Sequence, residues 1–289
     1  MVEPLITIVL PAYRMGSYIG DALRSIAAQT EQRWEVIVVD DHGPEDGTAS
    51  VVRDFAKGVK QRVELIRHEV NQGVSGARNT GIRAGRGEFV AFLDPDDTWL
   101  PHHLQAAFAV LNGDPGADVA CAPVESYRDD PAHAWTHKAH FESWKKDHFP
   151  LSLAVYNFIL TSAVVARRAH VLQVGGFDTA PDLQHIEDYD LWIRLVEAGS
   201  RFVLLERISA RYRKHGGGAT AQEARFAALH ERLYQKHPAF FREGQRRMLR
   251  LALDTHHRSE QRNSGPLRSM MRWVDQLLRR VLGKLSPSK

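Results

Sequence analysis

FVAFLDPDDTWLP, residues 89–101, decides the fold. Its first half is a near-continuous apolar run, the pattern of a strand buried on both faces. The run stops in Asp94, Asp96 and Asp97, with only Pro95 between them. Like charges this close repel and resist burial, so their concentration at a strand end calls for a counter-charge. Three runs of the same kind precede it: LITIVL (5–10), WEVIVVD (34–40) and VELIRH (63–68). Helix-like stretches alternate with them: SYIGDALRSIAAQ, DGTASVVRDFAKGV and SGARNTGIRAG. That alternation predicts an α/β domain, a mostly parallel sheet flanked by helices with right-handed crossovers. Such sheets bind ligands beyond the C-terminal ends of their strands. Here those ends are Pro11-Ala12-Tyr13, Asp40-Asp41 and Asp94 to Asp97, so the chemistry is expected there.

Further along, a helix is expected from Pro101 to about Asn112, and ADVACAPVESY (117–127) reads as one strand. Residues 128–150 are rich in His, Asp, Pro and Trp without periodicity, which suggests a loop, a lid or part of an acceptor surface. FILTSAVVARR (158–168) reads as strand then turn. Residues 175–199 read as a loop leading into a helix that Gly199 closes. RFVLLE (201–206) is a strand and SARYRKHGGGAT (209–220) a Gly-rich loop. Two or three helices follow from about residue 219, which divides the chain into 1–218 and a C-terminal helical extension, 219–289. The last helix, PLRSMMRWVDQLLRRVLGKL (266–285), gathers its apolar residues on one face and Arg or Lys on the others.

The 289 residues suit one large domain, or one domain and an appendage. A single cysteine, Cys121, permits no intramolecular disulfide and fits a reducing compartment. The N-terminus lacks a basic leader region, and no run of about 18 apolar residues occurs, so a cytoplasmic chain without membrane spans is expected. Charge is unevenly spread. Residues 1–200 hold 18 Lys and Arg against 28 Asp and Glu, and residues 201–289 hold 20 against 7. An acidic body can hold metal ions, and a basic tail can meet a membrane surface, nucleic acid or a charged partner, or remain a solvated helix. No base-stacking or helix-turn-helix signature is present, which argues against nucleic acid.

Five constellations carry chemistry. The Asp94, Asp96 and Asp97 cluster suits a hard cation such as Mg²⁺ or Mn²⁺, which prefers oxygen ligands. A helix cap on Asp97 or Thr98 would explain one carboxylate, not three. Asp40 and Asp41 can accept hydrogen bonds from a base or ribose, or serve a helix starting near Asp46. In NQGVSGARNTG (71–81) the glycines permit close backbone approach, Ser75 can cap a helix, and Arg78 on its first turn can reach a base or phosphate. Glu187 and Asp188 stand at a helix N-terminus, where the dipole favours carboxylates and keeps one ionised as a general base must be. His215, in KHGGG, can donate to phosphate or bind metal.

Taken together and in this order, these stretches resemble the inverting family 2 glycosyltransferases of the GT-A fold over roughly residues 5–215. The resemblance implies transfer of one sugar from a nucleotide-sugar donor, most often a UDP-sugar, to a glycan or lipid-linked saccharide. Pro11, Tyr13, Asp40 or Asp41, and Arg78 would hold the nucleoside. Asp94-Pro95-Asp96 with Asp97 resembles the DxD motif, which with His215 would hold Mn²⁺ or Mg²⁺ and the diphosphate. Asp188 matches the catalytic base, with Glu187 its nearest competitor. His42-Gly43-Pro44 departs from the usual Gly-Ser after Asp40-Asp41, and the QxxRW motif of processive synthases is missing. A nucleotidyltransferase and a nucleotide-sugar-binding module without turnover are the competing readings. The tail lies outside the resemblance. Residues 266–285 are expected to lie on an anionic membrane, making the chain peripheral on the inner face, or equally to pack on the domain or on a second copy. Unchanged binding to anionic vesicles after deletion of 266–289 would exclude the membrane role.

Overall fold

A computed structural model of the chain describes residues 5–128, 135–214 and 223–247. The four early runs form β1 (Ile6–Ala12), β2 (Trp34–Asp40), β3 (Val63–Arg67) and β4 (Phe89–Phe92). β1 lies between β2 and β4 and β3 lies outside β2, all parallel. Between them come α1 (Ile19–Ala27), α2 (Thr48–Gly58) and α3 (Gly73–Ala84). β1, β2 and β4 are buried throughout, as their near-continuous apolar runs predict; β3 is the edge strand and only half-buried.

The central sheet has seven strands. Beyond β4 it adds β9 (Val164–Arg167), β6 (Val119–Cys121) and β10 (Phe202–Leu204). β9 runs antiparallel to both of its neighbours, β4 and β6. A second sheet of four strands carries β5 (Thr98–Trp99), β11 (Ala210–Arg213), β7 (Val124–Arg128) and β8 (Trp135–Ala139), in that order. Further helices are α4 (His103–Gly113), α5 (Ser143–Asp147), α6 (Arg168–Gln173), α7 (Glu187–Glu197) and α8 (Glu223–Lys236). One core lies between the sheet and α1, α2 and α4, and contains Ile8, Leu23, Val52 and Leu104. A second lies on the opposite face, where Val90 and Phe92 meet Leu191 and Trp192 of α7 and Leu229 and Leu233 of α8. Residues 238–247 are again helical and add Phe240 and Phe241 to that core. The first helix expected of the extension therefore joins the core on this face of the sheet. Among the described residues no helix is long and apolar enough to cross a membrane.

Several expectations need correction. The stretch 117–127 is two strands in two sheets, because Pro123 has no N–H to continue a ladder and the chain turns there. Residues 210–213, expected in a loop, form β11, which β5 and β7 flank. The segment 128–150 contains β8 and α5 rather than loop alone. Neither Asp97 nor Thr98 caps a helix, since Thr98 opens β5 and α4 begins at His103. Ser75 is inside α3, and Arg78 stands on its second turn. α3 can lie flat on β1 only because residue 81 is glycine: a Cβ there would stand 2.5 Å from Val9 Cγ1. His215 and residues 266–285 lie outside the described residues.

Candidate active site

The C-terminal ends of β1, β2 and β4 and the N-terminus of α7 meet at one edge of the sheet. The Arg78 guanidinium of α3 joins two of them, the acidic turn after β4 and the N-terminus of α7. One Nη donates to Asp94 Oδ1 at 2.7 Å and the other to Glu187 Oε1 at 2.8 Å. Phe177 stacks under it, with its ring centroid 5.0 Å from Cζ. Burial works against the guanidinium charge, but the two carboxylates raise its pKa above the ordinary arginine value. Arg78 was expected on a base or phosphate. At 4% exposure it is instead an internal clamp, because two carboxylates occupy its Nη groups. Arg78 Nε and Glu187 Oε2 are buried beside this clamp without hydrogen-bond partners.

Glu187 and Asp188 are thereby separated in role. Glu187 is buried and turned to Arg78. Asp188 is half-buried, and its Oδ2 accepts from Thr161 Oγ1 at 3.0 Å while its Oδ1 accepts from the Tyr189 N–H at 2.6 Å. Burial, followed by the neighbouring Glu187 carboxylate, pushes its pKa up to about 7, against the opposing pull of Arg78 and the two hydrogen bonds. A carboxyl with that pKa exchanges a proton near neutral pH, as general base catalysis requires. Thr161 escaped the reading of the sequence. Its only signal is a Thr-Ser pair interrupting the apolar run FILTSAVV.

The three carboxylates of the acidic turn also part. Asp94 and Asp96 are partly exposed. Asp97 is 1% exposed, and its oxygens accept from Ser162 Oγ at 2.6 Å and the Arg213 N–H at 3.0 Å. Burial, then the charges of Asp96 and Asp94, raise its pKa well above the carboxylate range. Expected as a metal ligand, Asp97 is turned inward as the fastener of the turn. Burial and the same three carboxyls push the nearby Tyr212 phenol up to about 12. Among the described residues no three His, Cys, Asp or Glu side chains converge as a metal-binding group. Asp94 and Asp96, the two carboxyls of the turn left partly exposed, offer oxygen donors of the kind a hard cation takes.

At the neighbouring strand ends, Pro11 is buried within β1 and Tyr13 is 42% exposed. Asp40 accepts from the Gly43 N–H and from Arg67, both at 2.9 Å. Asp41 accepts from the Gln72 N–H at 2.8 Å and pairs with His68 Nδ1 at 2.7 Å. Both aspartates are buried and hold the loops that follow β2 and β3. His42, where the resembling family has glycine, adopts φ +58 and directs Nδ1 to the His68 carbonyl at 3.3 Å. The loop keeps a glycine-like backbone despite the substitution.

The family model for glycosyl transferase family 2 matches residues 7–170, and that for glycosyl transferase family group 2 matches residues 89–284. An Escherichia coli relative, UDP-Glc:alpha-D-GlcNAc-diphosphoundecaprenol beta-1,3-glucosyltransferase WfgD, is 33% identical over 111 residues, 38% of this chain and 42% of its own. The chain spans less than two thirds of the first curated relatives it matches: 40% of TuaG from Bacillus subtilis and 63% of a Haemophilus influenzae glycosyltransferase. Among solved structures, Staphylococcus aureus TarS 1–349 in complex with UDP-GlcNAc aligns with TM-score 0.62 at 22% identity, over 77% of this chain and 64% of that one. The mannosyltransferase PcManGT from Pyrobaculum calidifontis, in complex with GDP-Man and Mn²⁺, aligns with TM-score 0.61 at 18% identity, over 96% of this chain and 81% of that one. At these identities the structural likeness is one of fold, the GT-A arrangement of a central sheet flanked by helices.

Proposed function

The chain belongs to glycosyl transferase family 2, and we propose that it transfers one sugar, with inversion, from a nucleoside diphosphate sugar to a hydroxyl of a glycan or lipid-linked saccharide. The observation that carries this reading is the Arg78 clamp. It joins Asp94 of the acidic turn to Glu187 beside Asp188, so a diphosphate end and a proton acceptor share one site. The UDP-Glc donor and diphosphoundecaprenol acceptor in the name of WfgD, and the UDP-GlcNAc bound to TarS, support a UDP-sugar and a lipid-linked acceptor.

In this reading Pro11, Tyr13, Asp40 and Asp41 border the nucleoside. Asp94 and Asp96 would hold Mn²⁺ or Mg²⁺, which neutralises diphosphate charge when bound. Asp188 takes the acceptor hydroxyl proton as that oxygen bonds to the anomeric carbon. The bond from that carbon to the diphosphate oxygen breaks on the opposite face, and the diphosphate leaves with the electron pair. Thr161 and the Tyr189 N–H fix the Asp188 carboxylate, and Arg78 holds Glu187 away from the acceptor.

A thermal-shift screen of UDP, GDP and UTP, each with Mn²⁺, Mg²⁺ or EDTA, tests the donor half, since a ligand bound only to the folded state raises the melting temperature. Metal-dependent stabilisation by one diphosphate, followed by its release from the matching nucleotide sugar with one sugar added per acceptor, is expected. Stabilisation by the triphosphate alone would replace this reading with nucleotidyl transfer. Binding without turnover on any saccharide acceptor would leave a binding module.

The pH dependence follows from Asp188. Its activity-bearing form is the carboxylate, so kcat/KM is expected to rise with pH through about 7. Glu187→Gln removes the charge that raises this pKa, so the rising limb should move to lower pH in that variant. The stability sign is opposite to the activity sign. A folded-state pKa above the unfolded one favours the neutral carboxyl, so Asp188 stabilises the fold at low pH and loses that contribution as pH rises through about 7. A kcat/KM profile flat from pH 5.5 to about 8, the window in which such a group titrates, would remove Asp188 from the base role.

A further inference from the structure

Resting on the glycosyl transfer reading, we propose that Arg213 is the positioning residue that aims the acidic turn after β4. Arg213 is the last residue of β11, and three different groups of it hold three different partners. Its backbone N–H donates to Asp97 Oδ1 at 3.0 Å. Its Nε donates to the Asp96 main-chain oxygen at 3.0 Å. Its Nη2 donates to Asp21 Oδ2 on α1 at 2.7 Å. The rings of Tyr18 and Tyr127 lie 5.4 and 5.2 Å from the guanidinium carbon. The turn is thus tied to α1 on one side and to the second sheet on the other.

The placement of these bonds matters more than their number. Asp97 is closed between the Arg213 N–H and Ser162, so the turn is anchored by a carboxyl that faces away from any ligand. Asp96 precedes it, and its carbonyl is gripped from behind by Nε, which sets the direction in which its side chain leaves the turn. The guanidinium also brings positive charge to a spot crowded with Asp94, Asp96 and Asp97. A lysine has one point charge and cannot hold the Asp96 carbonyl and Asp21 through separate nitrogens.

Glutamine and lysine at 213 both keep the backbone N–H, so Arg213→Gln and Arg213→Lys retain the Asp97 anchor while the guanidinium's hold on the Asp96 carbonyl and Asp21 is released. Calorimetric titration of UDP in Mn²⁺ and in EDTA, with a parallel Mn²⁺ titration at fixed UDP and urea unfolding without ligand, separates aiming from bracing. Arg213→Gln is expected to weaken Mn²⁺-dependent UDP binding about ten-fold, as loss of a group that orients a metal ligand does, with UDP binding in EDTA equal to wild type. Arg213→Lys should recover part of the loss. Asp21→Asn changes a side chain that is 39% exposed and should weaken binding about two-fold. A lower urea midpoint with wild-type UDP affinity in Mn²⁺ would make Arg213 a brace of the fold and overturn the inference alone. Wild type without Mn²⁺-dependent UDP binding would overturn the functional reading and the inference together. If Arg213→Gln does not fold, Asp21→Asn decides, and an unchanged affinity there overturns the inference.

Discussion

Asp188→Asn is expected to lower kcat about a thousand-fold, within the range of about 10²–10⁴ for loss of a general base. Binding of nucleoside diphosphate should stay at the wild-type level. The substitution is nearly isosteric. An asparagine oxygen can still accept from the Tyr189 N–H, and its amide can donate to Thr161 Oγ1, so both local hydrogen bonds survive. Only the capacity to take a proton is lost. A fall in kcat without a rise in the donor KM places the lost interaction in the transition state. The measurement is steady-state transfer at saturating acceptor, with calorimetry for the diphosphate. Near-wild-type kcat would move the base elsewhere, with Glu187 the nearest carboxyl.

Arg78→Met should be the most destabilising single change at the site. It removes one cation and strands two carboxylates. Breaking a buried ion pair from one side costs about 3–5 kcal/mol, mostly because the partner is left charged and unpaired. Asp94 is 31% exposed and recovers part of its solvation, which points to the lower end of that range; Glu187, at 8%, recovers little. Adding Glu187→Gln to Arg78→Met should return part of the loss, because the stranded charge is then gone. Urea unfolding of the two single variants and the double variant gives the coupling directly. Additive costs would mean that the two side chains do not act as a pair.

The half of the fold built from local pattern was legible in the sequence. Trp34–Asp40 reads as a strand because its apolar run is near-continuous, and it is one to the residue. The acidic turn, Asp40-Asp41 and Glu187-Asp188 were legible as polar punctuation after apolar segments. What the sequence did not disclose depends on distant partners. Ala210–Arg213 is four residues with alternating arginines, and only β5 and β7 on either side make it a strand. Asp96 and Asp97 look alike on paper, yet Ser162 and Arg213 turn one of them inward. Arg78 announced a cation near the strand ends. That its second Nη group would be spent on a protein carboxylate as well follows from Glu187 of α7, more than a hundred residues away along the chain.

The antiparallel strand β9 has a consequence in time. β4 leans on β1 along one edge, and its other edge is covered only by Val164–Arg167. Those residues leave the ribosome after α4, β6, β7, β8 and α5. A nascent chain can therefore close β1 to β4 with α1 to α3 while the outer edge of β4 stays bare, open to pairing with any passing strand. Thr161 arrives just ahead of the covering strand, and Asp188 follows it. The strand ends that carry Asp40, Asp41 and Asp94 thus come from the first third of the polypeptide, and Asp188, the proposed proton acceptor, joins them only after β9.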